Sequence, residues 1–133
     1  MSELIAPPAA GLYFPGLLTS DWIFLSGQGG FDPDTGDLVS DNIADQTAHA
    51  FRNVEVLLRG RRITRRHRFL AGAPERSRPV RRVQHQLRRA VPDAVKPVRS
   101  TVGSDLAAGM RVEVTVVARR PGGTPSPVTP AGR

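Results

Sequence analysis

With 133 residues the chain is long enough for one compact domain with a modest core, and the absence of cysteine excludes a disulfide framework or a thiolate metal site. The opening Met-Ser-Glu-Leu-Ile-Ala-Pro-Pro carries an acid and prolines where a secretory signal needs basic and apolar residues, and no apolar run approaches the ~20 residues that span a bilayer. A protein of the cytoplasm is expected. The net charge of +7 is local: residues 59–89 hold 12 arginines and one acid, Glu75, leaving 7 basic and 11 acidic residues elsewhere, a net of −4.

In chain order, the first clear element is Trp22-Ile23-Phe24-Leu25-Ser26, an apolar, β-branched and aromatic run between Ser20-Asp21 and Gly27 that reads as a buried strand. Asp32-Pro33-Asp34-Thr35-Gly36-Asp37 is dense in turn formers and predicts a surface loop or hairpin tip. Asp41 or Asn42 can then cap a helix by accepting from a free backbone N–H. Ile43, Thr47, Ala50, Val54 and Leu57 recur every three or four residues, joined by Phe51 and Leu58. This is one apolar stripe on a helix of about four turns.

The arginine-rich segment is harder to place. Ser77 before Pro79, with Val80, Val83, Leu87 and Ala90, fits a capped helix carrying a narrow apolar stripe. Upstream, Ile63 to Leu70 makes a doubtful strand, because Arg65, Arg66, His67 and Arg68 leave no convincing buried face. From Met110 to Arg119 the chain alternates, with Val112, Val114 and Val116 on one face and Arg111, Glu113 and Thr115 on the other. Period-two alternation predicts a half-buried strand with Glu113 turned away from the valines. The proline- and glycine-rich tail, 121–133, buries too little apolar surface to order and is expected to be disordered.

Several strings resemble the RidA (YjgF-like) family in order and spacing. They are Gly11-Leu12-Tyr13, Phe24-Leu25-Ser26-Gly27-Gln28 followed by Asp32-Pro33-Asp34-Thr35-Gly36, Gln46 through Asn53-Val54 where the family has its first long helix, Pro97-Val98-Arg99-Ser100-Thr101-Val102, and Val112-Glu113-Val114. The resemblance covers roughly 10–58 and 90–119 and makes 1–120 a single domain. It implies an α+β, chorismate-mutase-like fold: a mixed, mostly antiparallel sheet with two helices packed on one face. It also implies homotrimers whose sheets build a barrel, with ligand clefts between subunits. The implied activity is hydrolysis of reactive 2-enamino and 2-imino acids to 2-oxo acids and ammonia, without cofactor or metal.

The matching residues suit that chemistry. Arg99 falls at the family's carboxylate-binding arginine, and a planar guanidinium grips a carboxylate bidentately. Glu113 falls at its water-binding glutamate, and hydrolysis of an imine needs a carboxylate to move protons. Thr101 stands where a backbone N–H helps to hold the substrate carboxylate, while Tyr13 and Ser26 match residues that line the cleft. Without the resemblance, Glu113 reads as a solvent-facing strand residue, Arg99 as a surface arginine after a turn, Tyr13 as packing and Ser26 as a turn. His49, His67 and His85 have no metal spacing and read as structural or exposed. Gly27-Gln28-Gly29-Gly30 lacks the Lys-Ser/Thr of a phosphate loop.

Residues 59–89 depart from the family. They keep its length but lack its glycine turn, β-branched strand, acidic loop and aromatic helix. Two compensating frameshifts or divergence into a basic surface each account for this, and the family-like flanks favour the first. A rival function follows from the second: arginines that neutralise phosphates would bind nucleic acid. Some family members have been described as ribonucleases or translation inhibitors. The segment's single aromatic, Phe69, offers little base stacking. A non-catalytic trimer is the third reading.

Overall fold

The computed structural model describes residues 13–59 and 98–120 in full, residues 3–5 and 64–73 by their backbone, and His85, Arg88 and Arg89. One sheet runs through these residues. Its strands are β1 (Glu3–Ile5), β2 (Gly16–Leu18), β3 (Trp22–Leu25), β4 (Gln28–Gly29), β5 (Thr64–Ala73), β6 (Arg99–Gly103) and β7 (Glu113–Arg119), in the order β1-β2-β3-β7-β5-β6, with β4 also on β7. Every pairing is antiparallel except β5 with β6. The mixed, mostly antiparallel sheet expected from the sequence is therefore present.

The core forms where two periodicities meet. On β7 and just before it, Val112, Val114, Val116 and Ala118 are fully buried, and Ile23 and Leu25 of β3 join them. Against this row lies α1 (Ile43–Leu58), with Ile43, Ala50, Phe51, Val54 and Leu58 turned inward. The helix begins where expected: Asn42, not Asp41, is the cap, its side-chain oxygen accepting from the Ala44 N–H at 2.8 Å. The 32–37 segment is a tight loop, with Gly36 at φ 78° and its N–H donating to the Asp32 carbonyl at 2.8 Å.

Two expectations change. The run from Trp22 is not buried on both faces: Ile23 and Leu25 are inside, while Trp22 is 36% and Phe24 42% exposed. Its alternation makes it a one-sided strand, because only one face of the sheet carries a helix among the described residues. The doubtful strand in the arginine-rich segment also forms, as β5, paired on both edges. Its register explains how. His67, Phe69 and Ala71 pair with Ala118, Val116 and Val114 of the buried row, whereas Arg68, Leu70 and Gly72 pair with Val117, Thr115 and Glu113 of the opposite row. An irregularity between Thr64 and His67 takes up Arg65 and Arg66 outside regular pairing.

The second helix expected from Ser77 lies outside the described residues, except that His85, Arg88 and Arg89 are helical and exposed. The tail from 121 lies outside them too. Among the described residues, no helix is long and apolar enough to cross a membrane.

Candidate active site

The site begins with a slip in register. β3 sets Phe24 opposite Val117, but β4 sets Gln28 opposite Val114. Going from Phe24 to Gln28 advances four residues while the partner strand moves three, so one extra residue lies between them, the mark of a β-bulge. Ser26 and Gly27 occupy it. Ser26 is tied back to the preceding segment twice: its N–H donates to the Pro15 carbonyl at 2.9 Å and its hydroxyl to the Phe14 carbonyl at 2.6 Å. Tyr13, 58% exposed, immediately precedes that anchor.

Glu113 begins β7 opposite Gly29 of β4 and Gly72 of β5, on the face away from α1, as its alternation with the valines predicts. Its side chain is half-buried because the carboxylate lies against Gly27. A Cβ built on that glycine falls 2.5 Å from Oε1 and 2.8 Å from Oε2. The structure thus brings Ser26 and Glu113 to one bulge, with Tyr13 next in sequence to the Phe14 carbonyl that anchors it.

Two amide side chains from α1 hold the backbone of this corner. Asn53 donates through Nδ2 to the carbonyls of Gly29 at 3.2 Å and Phe31 at 2.8 Å. Gln46, fully buried, donates to the Ser40 carbonyl at 2.8 Å and accepts from the Arg111 N–H at 2.8 Å.

Arg99 and Thr101 lie elsewhere. They sit on β6, an edge strand among the described residues, with Arg99 exposed and Thr101 half-buried. The register pairs Arg99 with Phe69 and thence Val116, and Thr101 with Ala71 and thence Val114. Both belong to the row that β7 turns toward α1, whereas Glu113 belongs to the opposite row. Ordinary sheet spacings, two strands across and three residues along, separate the Arg99 and Glu113 Cα atoms by about 14 Å. The two groups therefore do not share one face of the described sheet.

The sequence marks Gly27, Gln46 and Asn53 only as parts of family-like strings and assigns none of them a role. A glycine interrupting a strand-like run is a known bulge signal and was available at Gly27. The amides had no such mark, since a helical Gln or Asn reads as solvent-facing until its backbone partners are known. Among the described residues, no three His, Asp, Glu or Cys side chains converge as metal ligands.

A sheet with one helix-covered face, and a carboxylate seated at a bulge on its other face, defines a small α+β domain of one recognisable class. The sequence pattern of the Endoribonuclease L-PSP family matches residues 4–120, so the chain belongs to that family, also known as RidA or YjgF. A human protein named 2-iminobutanoate/2-iminopropanoate deaminase is 39% identical over 59 residues, 44% of this chain and 43% of that protein. The chain spans under half the length of the curated relatives it matches. The fold is similar to that of YyfA of Yersinia pestis, described as a Rid-family protein, with a TM-score of 0.76 and 25% identity over 90% of this chain and 99% of that one. It is also similar to yeast Mmf1, with a TM-score of 0.80 and 20% identity over 90% and 99% of the two chains.

Proposed function

We propose that this protein hydrolyses 2-imino acids and their 2-enamino tautomers to 2-oxo acids and ammonia, in clefts between the subunits of a homotrimer. The observation that carries this reading is the seat of Glu113: a carboxylate lying against the Ser26-Gly27 bulge, on the sheet face that carries no helix among the described residues. The same chain has Arg99 in a Pro-x-Arg-Ser-x-Val setting, and the partial match to a named deaminase supports the substrate class.

In this reading Arg99 pairs with the substrate carboxylate, and the backbone N–H of Thr101 adds a second hold on it. Tyr13 and Ser26 line the opposite wall. Water adds through its oxygen to the carbon of the protonated imine while Glu113 accepts one water proton, giving a neutral carbinolamine. Glu113 returns that proton to the nitrogen, the C–N bond breaks as the hydroxyl oxygen closes to a carbonyl, ammonia leaves, and the hydroxyl proton passes through Glu113 to solvent or the departing ammonia. Imino acid and water are thereby converted to 2-oxo acid and ammonia, with no electrons transferred. Because Arg99 and Glu113 occupy opposite rows of one sheet, Arg99 of one copy meets Glu113 of the next.

The test is ammonia release from a 2-imino acid generated in situ by an amino-acid oxidase, without added metal or cofactor. The protein should accelerate hydrolysis well beyond the buffer rate, and Arg99→Ala and Glu113→Gln should each lose about 100-fold or more. Equal rates with and without the protein would refute the assignment.

A further inference from the structure

Resting on that reading, we propose that Gly27 is the positioning residue of the site: its missing side chain leaves the volume that the Glu113 carboxylate fills. Three observations lead there. First, the extra residue between Phe24 and Gln28 places Ser26 and Gly27 in a bulge directly alongside the start of β7. Bulges beside active sites characteristically re-aim a side chain. Second, a Cβ at Gly27 would meet only the far end of Glu113 among its nearest atoms, at 2.5 Å from Oε1 and 2.8 Å from Oε2. Carboxylate and methyl group exclude one another. Third, the backbone itself does not demand glycine: the positive-φ glycines among the described residues are Gly36 and Gly109, not Gly27. The local φ does not require glycine, and the three atoms nearest to an added methyl group all belong to the Glu113 carboxyl group.

What yields on substitution follows from what is tied down. The bulge is anchored on its upstream side by the Ser26 bonds to Pro15 and Phe14. It is anchored downstream by Asn53, which holds the carbonyls of Gly29 and Phe31. The Glu113 side chain has three rotatable bonds and is only half-buried. A methyl group at position 27 therefore evicts the carboxylate and leaves the fold standing. Misplacing a reacting group by about an ångström costs on the order of 100-fold in rate.

The experiment compares Gly27→Ala, Glu113→Ala and the double variant. Gly27→Ala should lower kcat about 100-fold with KM within about twofold of wild type, while adding it to Glu113→Ala should cost nothing more. Combining Gly27→Ala with Glu113→Asp, whose shorter side chain clears the methyl group, should regain part of the loss. A second readout does not depend on turnover. In protein with 13C-labelled glutamate, the Glu113 carboxyl resonance, identified by its disappearance in Glu113→Gln, should move in Gly27→Ala while the other carboxyl resonances stay in place. An unmoved resonance together with wild-type kcat overturns the proposal. If the wild-type chain hydrolyses no imine, the activity reading fails, and the resonance still decides whether Gly27 seats the carboxylate. Should Gly27→Ala fail to fold, the double variant with Glu113→Ala decides. Recovered folding upholds the contested volume, and continued unfolding overturns it.

Discussion

Arg99 and Glu113 stand in opposite rows of the same sheet, with β5 between their strands and Arg99 level with Val116 rather than with Glu113. Under the proposed reaction, in which both groups face one small substrate, opposite rows of one sheet favour a site drawn from two copies. In a cyclic trimer with heterologous interfaces, a subunit lacking Arg99 and a subunit lacking Glu113 complement each other at one interface of every mixed trimer. Refolding Arg99→Ala and Glu113→Gln subunits together at equal amounts should therefore restore about one quarter of wild-type activity, since three quarters of random trimers are mixed and each has one complete site of three. Hydrolysis assays on the mixture and on each variant alone check this. A mixture as inactive as its parents would place both groups in one subunit's site or in none.

The proposed trimer would draw on the sheet face away from α1. Leu17, Phe24 and Val117 are consecutive cross-strand neighbours there, with Leu17 37% and Phe24 42% exposed, and Trp22 lies beside them. A contiguous apolar patch of this kind marks an interface. Phe24→Lys should shift the light-scattering mass from a trimer toward the 14.4 kDa monomer and abolish hydrolysis with it. Val56→Lys, at the comparably exposed Val56 of α1 (49%), should leave the mass unchanged.

Elements with a strong period were legible in the sequence. The stripe from Ile43 to Leu58 and the alternation of Val112, Val114 and Val116 each name one buried face, and the structure packs those two faces together. Glu113 turning away from the valines follows from the same alternation. β5 was hard to read because its arginines suggested charges in a core, whereas pairing on both edges and an irregularity near Arg65 and Arg66 decide the register. The division of the site between two sheet rows was equally invisible, since it depends on how β6 aligns with β5 and not on either strand's composition. Gly27 is legible only as part of the Ser26-Gly27-Gln28 and Gly27-Gln28-Gly29-Gly30 strings, because the side chain lying against it is 86 positions away.

The helix start gives a sharper local test. Asn42 accepts from the Ala44 N–H at 2.8 Å, its own N–H donates to the Ser40 hydroxyl at 2.9 Å, and that hydroxyl donates to Asp45 at 2.9 Å. Asp41, though an equally good capping residue by type, is exposed and one position too early. Asn42→Ala should cost about 1 kcal/mol, or roughly 4 °C in Tm, while Asp41→Ala should stay within about 0.5 kcal/mol of wild type. Thermal unfolding followed by circular dichroism measures both, and equal losses would mean that the cap is shared.

Gln46 carries more, because it is buried completely and bonded at both ends of its amide. It joins the Ser40 carbonyl to the Arg111 N–H, two residues before Glu113, and so ties the helix to the loop after β4 and to the approach of β7. Gln46→Leu roughly keeps the volume but takes away the amide partner of the part-buried Ser40 carbonyl and Arg111 N–H, an expected loss of about 2 kcal/mol, or roughly 7 °C in Tm. Gln46→Glu separates the two bonds. Its oxygen still accepts from Arg111, but an ionised carboxylate in place of the amide donor faces the Ser40 carbonyl at a fully buried position. Burial and that carbonyl raise the new carboxyl's folded-state pKa above its unfolded value, near 4.3. A raised acid contributes stability that is present below the unfolded pKa and lost as pH rises through the folded one. The deficit of Gln46→Glu relative to wild type should therefore be small at pH 4, where the protonated carboxyl donates to Ser40, and grow toward pH 8. Denaturant titrations at the two pH values measure it, and a deficit independent of pH would show that the Ser40 bond contributes little.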